Sequence, residues 1–367
     1  MSVWDEVAVV DGPVTLLQGD IASGRIAHAY LFAGVAGRLP ADAALGFGAA
    51  LVCPDGGCGR CDACARVRHR AHPDVEVIEP AGVQLLVDQV REAIRSASRR
   101  PVAAPRRVIV VEGADRMNPT AQNAFLKALE EPPPSTTIIL IAPNPEVLLE
   151  TVRSRCREVT FHSPPPAEVA SLLERRGVGA DDARYCARVG GGLERAVTLA
   201  TDTEARALRD ELVERVLEPF RDPGEALEAA EWLAGKTREL RERVAEDRKV
   251  SDAAYADWYR EPKRTADERI RREQRRAEQD ALEAAVDDVS SVLRDLLAVL
   301  GSEDAELLNE SIRAKLVQQA GALSAGAQGR IVAALSEVER CRRRLRLNAN
   351  VLLTLEELFL ALFRYVS

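Results

Sequence analysis

Four cysteines lie within one twelve-residue stretch, and their spacing is the strongest chemical signal in the sequence. They are Cys53, Cys58, Cys61 and Cys64 in CPDGGCGRCDAC. Four thiolates complete a closed tetrahedral site, which is the geometry that Zn²⁺ prefers in structural sites. The glycines between them allow tight turns that aim several sulfurs at one point. The sequence therefore predicts a structural zinc module over residues 53–64.

Other interpretations of these cysteines stay open on the sequence alone. An iron–sulfur cluster also uses C-x2-C-x2-C spacing, although the x3-C-P continuation is absent after Cys64. His69 or His72 could replace one cysteine as a ligand. Disulfides or free thiols are a further alternative. Because the opening residues do not resemble a signal peptide, we expect a cytoplasmic protein, and the reducing cytosol favours metal over disulfide.

A second stretch has the outline of a phosphate-binding loop without its reactive residues. A P-loop reads G-x-x-x-x-G-K-[ST] between a strand and a helix, and the chain begins this pattern with Gly34 and Gly37. Leu39, Pro40 and Ala41 then stand where the second glycine, the lysine and the hydroxyl residue are required. The phosphate-pairing ammonium, a backbone N–H donor and the Mg²⁺-ligating hydroxyl are therefore missing. We predict that this loop binds no ATP.

The acidic motif of a nucleotide site is incomplete as well. In VIVVEGADRM, Glu112 follows a strand, where a Mg²⁺-associated Asp is expected, and Gly113 stands at the position of the catalytic Glu. Without a carboxylate at that position, no side chain polarises the attacking water. Asp115 is interpreted as a solvent-facing or helix-entry carboxylate. The two motifs together predict a nucleotide-binding fold that does not hydrolyse ATP.

The elements that must position these residues alternate between strands and helices in the first part of the chain. Strands are predicted at 27–34, 74–78, 108–111 and 136–142, and helices at 41–52, 83–98 and 118–131. Asn118 is the expected N-cap of the last helix, with Pro119 at its first position. Near-continuous apolar strands between helices indicate a parallel sheet covered on both faces. After residue 166 no strand pattern follows, and from about Thr203 the pattern is helical throughout.

The composition restricts the classes of function. The chain has 367 residues with a formal net charge of -8, and aromatic residues are only 4% of it. The acidic charge argues against a free-standing duplex binder, and the few aromatic residues argue against a stacking platform for single strands. The charged stretch 236–280 is predicted to be a solvated or partly disordered helix with i,i+4 ion pairs rather than a DNA-contacting basic face. Since no apolar run is long enough for a membrane span, we expect no membrane contact.

Several stretches together resemble one known family. They are NAFLKALEEPPPSTTIILIAPNPEVLLETVRSRC at 123–156, RIAHAYLF at 25–32, the four-cysteine module, and NANVLLTLEELFLAL at 348–362. These stretches resemble the clamp-loader branch of the AAA+ family, in bacterial DNA polymerase III. The resemblance covers residues 1 to about 200 well and roughly the last 25 residues moderately. The charged middle is not covered.

The resemblance implies an α/β plus all-α chain of three domains. A RecA-like AAA+ domain with a parallel sheet is expected over residues 1–163, with the zinc module 53–64 inserted in it. A small helical lid domain is expected over 164–203. A helical collar domain for oligomerisation is expected over 204–367, and it includes the charged segment 236–280.

The resemblance also implies a role in replication. In this family the loader opens the sliding clamp with ATP and places it on primed DNA. The incomplete phosphate loop and acidic motif fit a stationary subunit that does not hydrolyse ATP. Arg155 in Ser154-Arg155-Cys156 matches the family's arginine finger, which acts on ATP held by a neighbouring tau/gamma subunit. The implied partners are tau/gamma and delta subunits, the beta clamp, and primed DNA through the assembly. The isolated chain is expected to have no catalytic activity, although the assembly belongs to the DNA-directed DNA polymerase (nucleotidyltransferase) holoenzyme.

Two other functions stay open on the sequence alone. The chain could be an active tau/gamma-like ATPase with an altered loop, against which Pro40 argues. It could also be a stand-alone zinc-containing DNA-binding or interaction protein, against which its acidic charge and collar-like end argue. Cys156 is interpreted as a packed core thiol, and Lys127 and Glu130 as helix surface or interdomain ion pairing.

Overall fold

The chain divides into two compact units. The computed structural model describes residues 2–4, 11–35, 37–80, 84–131, 133–254, 263–323, 326–347 and 349–366. The first unit comprises Met1–Arg175 with Gly192–Glu194, and the second comprises Arg176–Gly191 with Arg195–Ser367. The three-domain division at residues 163 and 203 stays a prediction.

A parallel sheet forms the centre of the first unit. Its strands are β1 Ala29–Gly34, β2 Val75–Ile78, β3 Arg107–Val111, β4 Thr136–Ala142 and β5 Arg157–Phe161. They are ordered β2-β3-β4-β1-β5, and every neighbouring pair is parallel. Every residue of β3 and β4 is buried, because helices cover both faces. The predicted parallel sheet is confirmed, and β5 is an additional edge strand that the sequence analysis does not predict.

Helices of the first unit pack on both faces of this sheet. They are α1 Asp11–Ser23, α2 Arg38–Val52, α3 Asp62–Arg68, α4 Val87–Ala97, α5 Pro119–Glu130 and α6 Glu150–Arg153, and α7 Pro166–Arg175 follows the last strand. Alternate strand residues enter two separate apolar clusters, because successive side chains of a strand point to opposite faces. Tyr30 and Phe32 pack with α1 and α2, whereas Leu31 and Ala33 pack with α4 and α5.

The helix α4 begins later than the sequence predicts. It starts at Val87, and Leu86 lies outside it with 54% of its surface exposed. The Leu86 N–H donates to Oε1 of Gln89 at 3.1 Å. This side-chain bond caps the start of the helix, so no further turn precedes Val87. Val83, the predicted start, lies outside the described residues. The predicted helix over 83–98 is therefore confirmed from Val87 onward, with Val87, Val90 and Ile94 packed towards the sheet, and it is wrong at Leu86.

The start of α5 is confirmed. The Asn118 side chain accepts the backbone N–H of Ala121 at 2.9 Å, and Pro119 is the first helical residue. This is the N-cap arrangement that the sequence predicts. The helix ends at Glu130, one residue before the predicted end, because the prolines that follow cannot continue it.

A buried carboxylate holds the loop between α4 and β3. Asp74 is 0% exposed, and it accepts the backbone N–H groups of Val102, Ala103 and Ala104 at 2.7, 2.7 and 2.8 Å. Burial is the largest single influence on its pKa and raises it. The three N–H bonds together outweigh burial and hold the pKa of Asp74 below its ordinary value. The Asp74 side chain therefore holds the loop at 102–104 against the sheet.

We expect Asp74→Ala to lower the free energy of unfolding of the first unit by about 3 kcal/mol, because three buried N–H donors lose their acceptor. Since the folded pKa is depressed, this stabilisation is fully present above the unfolded pKa. It is lost as the pH falls through the folded pKa. Urea denaturation at pH 7 measures the loss. Asp88→Ala, at a side chain that is 92% exposed, should cost less than about 0.5 kcal/mol, and equal losses would contradict the assignment.

The second unit is helical in all its described elements. Its helices are α8 Ala180–Val189, α9 Leu193–Thr201 (whose first two residues belong to the first unit), α10 Thr203–Leu217, α11 Pro223–Ala254, α12 Lys263–Gly301, α13 Arg313–Ala322, α14 Ala327–Arg346 and α15 Val351–Val366. The charged stretch lies on α11 and α12, apart from 255–262, which lie outside the described residues. Ion pairs such as Lys236–Glu239 at 2.9 Å agree with the predicted helix surface. In the described part of the chain, no helix is long and apolar enough to cross a membrane.

Candidate functional site

The four cysteines converge between α2 and α3. Cys53 is the C-cap of α2, Cys61 is the N-cap of α3, and Cys64 lies in the first turn of α3. All four Sγ atoms, including that of Cys58, lie within 4.8 Å of one another, with Cys53–Cys61 at 3.6 Å. A tetrahedral ion with metal–sulfur bonds of about 2.3 Å gives sulfur–sulfur distances of about 3.8 Å. The four thiols could therefore hold one metal ion, and they are too far apart for a disulfide.

Backbone N–H groups favour the thiolate form, which binds metal, at Cys53 and Cys58, whereas burial raises the pKa of Cys64. The pKa of Cys58 is lowered to about 6, first by the N–H of Arg60 and then by that of Cys61. For Cys53, burial is the largest influence and raises the pKa. Three backbone N–H groups, led by that of Cys58, lower the pKa of Cys53 by more. Gly57 adopts a φ of 97° and has no room for a Cβ, so the tight turn at this point requires glycine.

The neighbouring histidines do not join this cluster of donors. Among the described residues, the group of possible metal ligands contains the four cysteines alone. His72 is 7% exposed, and its Nδ1 accepts the backbone N–H of Asp74 at 3.1 Å. Burial, the largest influence, lowers the pKa of His72. His72 therefore holds the turn that leads into β2.

The glycine that begins the phosphate loop is required by the sheet. Gly34 ends β1 with a φ of 107°, and a Cβ there would lie 2.1 Å from the carbonyl oxygen of Phe161 at the end of β5. The next N–H, that of Val35, donates to the same oxygen at 3.1 Å. Only glycine fits where the two strand ends approach so closely. Gly34 is therefore explained without a bound phosphate.

The residues that replace the P-loop signature serve the core. The helix α2 begins at Arg38 rather than at the predicted Ala41, since proline is accepted in a first turn, where its missing N–H has no intrahelical acceptor. Pro40 and Ala41 are buried, and Leu39 packs against the apolar cluster on the α2 side of the sheet. None of these side chains can bind phosphate or Mg²⁺. Ala36 lies outside the described residues.

The carboxylate at the end of β3 is paired with an arginine of the chain itself. Glu112 is 8% exposed, and its Oε1 lies 3.1 Å from Nη2 of Arg70, which also pairs with Glu79. Gly113 adopts a φ of 64°, and a Cβ there would lie 3.0 Å from Pro80. The position expected to carry the catalytic Glu therefore favours glycine on backbone grounds.

An acidic side chain contacts the start of α2. The Arg38 N–H donates to Oε2 of Glu194 at 3.0 Å, and Nε of Arg38 lies 4.0 Å from Oε1. Glu194 belongs to the short segment that packs with the first unit. Glu194 and Arg70 lie 156 and 42 residues from their partners, so no local sequence pattern points to either of them.

Arg155 lies at the opposite edge of the sheet from the degenerate loop. It precedes β5, whose Arg157 pairs with Tyr30 at the start of β1, whereas Phe161 pairs with Gly34 at the far end. A strand of five residues spans about 17 Å at about 3.3 Å per residue. Arg155 therefore lies about one strand length away from the degenerate loop of its own chain.

The Arg155 guanidinium is partly exposed and held by two acceptors. Its side chain is 35% exposed, Nη2 lies 2.7 Å from Oε1 of Glu130, and Nη1 donates to the carbonyl oxygen of Thr151 at 2.8 Å. Its neighbours in the motif have no reactive character. Burial raises the pKa of Cys156 to about 12, so that thiol stays protonated at neutral pH. Ser154 Oγ donates to the Thr151 carbonyl at 3.4 Å.

Comparisons with known proteins agree with this arrangement. A family model described as DNA polymerase III, delta subunit, matches residues 11–165. DNA polymerase III subunit delta' of Bacillus subtilis (strain 168) is 31% identical over 214 residues, 57% of this chain and 65% of that protein. The Pseudomonas aeruginosa delta' subunit is 40% identical over 152 residues, 40% of this chain and 46% of that protein. The gamma/tau subunit of Mycobacterium tuberculosis H37Rv is 36% identical over 184 residues, 47% of this chain and 32% of that protein.

The matched stretch is the one that carries the functional features. Residues 11–165 include the whole sheet, the four cysteines, the degenerate loop and the Ser154-Arg155-Cys156 motif. The chain spans less than two thirds of the length of these relatives. Residues 11–165 are therefore similar to the DNA polymerase III delta-type subunits, and the delta-prime subunits are among the relatives that this stretch matches.

Proposed function

We propose that this chain is a non-hydrolysing clamp-loader subunit that helps place the beta sliding clamp on primed DNA. The observation that supports this role is the contrast between the two edges of its sheet. At the carboxyl-terminal edge, the loop side chains pack in the core and Glu112 is paired with Arg70. At the amino-terminal edge, Arg155 stays partly exposed. The chain therefore keeps an arginine that could reach a neighbouring subunit, and it lacks the loop and acidic residues that would bind ATP at its own site.

In this proposal, Arg155 is an arginine finger for a neighbouring tau/gamma subunit. A planar, permanently charged guanidinium suits stabilisation of the charge that develops on a transferring γ-phosphoryl group. The other partners are a delta subunit and, through the assembly, the clamp and DNA. A net charge of -8 gives the isolated chain little affinity for duplex DNA of its own.

The four-cysteine cluster is the structural part of the proposal, with Zn²⁺ as its ion. The donor set fits this ion, because four thiolates at these separations leave no open coordination position. A closed site supplies folding energy and no Lewis-acid chemistry. Cys53, Cys58, Cys61 and Cys64 would then tie the end of α2 to the start of α3.

Two measurements on the purified full chain test the proposed function. We expect no binding of a fluorescent ATP analogue at micromolar concentration, with tau/gamma as the positive control, because the loop lacks its ligands. We also expect co-elution with tau/gamma and delta in one size-exclusion peak. ATP binding by the chain would instead favour an active ATPase similar to the gamma/tau subunit, to which this chain is 36% identical over 184 residues. Salt-dependent binding of the isolated chain to primed DNA, without co-elution, would favour a stand-alone DNA-binding protein.

A further inference from the structure

We propose that the chain occupies its own degenerate nucleotide edge with two charged side chains, Glu194 in place of a phosphate and Arg70 in place of Mg²⁺. This inference rests on the proposed function, since it concerns why the site binds no nucleotide. The site has lost its nucleotide ligands, and in addition two side chains of the same chain occupy the positions of the phosphate and of Mg²⁺.

The anion position is the start of α2. The free N–H groups at a helix N-terminus and the helix dipole attract an anion there. The Arg38 N–H is already given to Glu194 Oε2 at 3.0 Å, and the missing side chain of Gly37 leaves room, since a Cβ there would lie 3.1 Å from that oxygen. A phosphate would need the same N–H and would be repelled by the carboxylate.

The contact between Arg38 and Glu194 is largely exposed to solvent, which limits its contribution to folding stability. The side chains of Arg38 and Glu194 are 63% and 44% exposed, so the ion pair contributes little to stability. Its effect is on occupancy, because one N–H cannot be donated fully to a carboxylate and to a phosphate. The expected consequence of removing Glu194 is therefore a gain of anion binding with little change in folding.

The cation position is the carboxylate at the end of β3. A nucleotide site holds Mg²⁺ near the acidic residue that follows this strand. Here the Arg70 guanidinium lies between Glu112 and Glu79, and the three side chains are 11%, 30% and 25% exposed, in the order Glu112, Arg70, Glu79. A permanently charged guanidinium offsets one of these two negative charges at any physiological pH. Mg²⁺ would have to displace it.

The backbone at Arg70 supports a specific role for this side chain. Arg70 has a φ of 55°, and among the described residues it is the only non-glycine residue with a positive φ. It ends α3 in a turn in which the Ala71 N–H donates to the Arg66 carbonyl at 2.8 Å, a position at which helices favour glycine. Strain of this kind persists where the surroundings fix the residue. Cys64 lies six residues earlier, so the cysteine module fixes the helix that delivers Arg70.

Nucleotide binding by a loop-repaired chain tests the proposal. The background variant is Leu39→Gly/Pro40→Lys/Ala41→Thr, with folding checked by circular dichroism and Tm. We expect this variant to bind a fluorescent ATP analogue weakly, and the addition of Glu194→Ala to tighten binding at least tenfold. Adding Arg70→Ala should then make binding depend on Mg²⁺, with affinity at least tenfold higher in its presence. Glu146→Ala and Arg91→Ala are the matched controls, and they should leave the affinity of the repaired chain unchanged.

A second measurement avoids the repaired loop, whose residues pack in the core and whose variant could fail to fold. In the chain with its native loop, the backbone amide resonance of Arg38 should shift in Glu194→Ala and should then respond to inorganic phosphate. In the unaltered chain, that resonance should not respond. An unmoved Arg38 resonance, or equal affinity of the repaired chain with and without Glu194, would overturn the inference. Either result leaves the proposed function intact, because that function is tested separately by nucleotide binding and assembly of the unaltered chain.

Discussion

Arg155→Ala is expected to lower ATP hydrolysis at the neighbouring tau/gamma site by about 10³-fold or more. An arginine supplied across an interface stabilises the charge of the transferring phosphoryl group, and its removal costs about 10³–10⁵ in rate. The measurement is single-turnover hydrolysis by the reconstituted loader with clamp and primed DNA. Assembly should be unaffected, because the Arg155 side chain is partly exposed and its contacts with Glu130 and the Thr151 carbonyl lie within this chain.

Two further variants separate catalysis from structure at this position. Arg155→Lys keeps the charge and loses the planar fork, so its rate should lie between those of the original chain and Arg155→Ala. Arg153→Ala, two residues earlier, removes a 3.7 Å ion pair with Glu158 and should change the rate less than about twofold. An unchanged rate in Arg155→Ala would leave the chain as a scaffold and would remove the catalytic part of the proposed function.

The contact with Glu130 is compatible with a finger that must move. A partly exposed ion pair is worth about 0–1 kcal/mol, so the guanidinium can leave Glu130 at little cost when a more strongly charged phosphate is offered. Phosphate also accepts two parallel bonds from one guanidinium, which a single carboxylate oxygen does not. If Arg155 is the proposed finger, we therefore expect the exchange of Glu130 for a γ-phosphate to be favourable in the assembled loader.

Local patterns explain which features could be predicted from the sequence. The four cysteines lie within one short segment, so their spacing alone brings them together at Cys53–Cys64. The strands β3 and β4 are buried at every position and therefore appear as continuous apolar runs. The Asn118-Pro119 start of α5 depends on neighbouring residues only. In each case the information lies within a few residues of the feature.

The features that could not be predicted depend on distant partners or weak patterns. Glu112 and Arg70 lie 42 residues apart, and Arg38 and Glu194 lie 156 apart, so no period or motif connects them. β5 is an edge strand with only Val159 and Phe161 buried, and two apolar residues in five give little signal. The sequence showed that the nucleotide ligands are absent, but only the packed structure shows which side chains stand in their place.

Removal of the metal is expected to unfold the cysteine module and to destabilise the face of the sheet beneath it. A structural zinc contributes about 10–16 kcal/mol of binding free energy at pH 7, which becomes folding free energy when the apo site is not formed. Cys53 and Cys64 belong to the same apolar cluster as α2, so the loss should extend to that helix. Hydrogen exchange of the original chain and of Cys64→Ala measures this, with metal content determined on the same samples.

The expected metal content is one zinc per chain in the original protein and none in Cys64→Ala, with fast exchange over 53–64 in the variant. Cys341→Ala is the matched control, because it removes a buried thiol in the second unit. It should keep the zinc and the protection of α2, at a cost of about 1 kcal/mol for the small cavity. Iron with visible absorption in place of zinc would identify an iron–sulfur cluster. Full protection of residues 53–64 without any metal would show that packing alone holds the module, because the thiol positions would then be set by the core rather than by an ion.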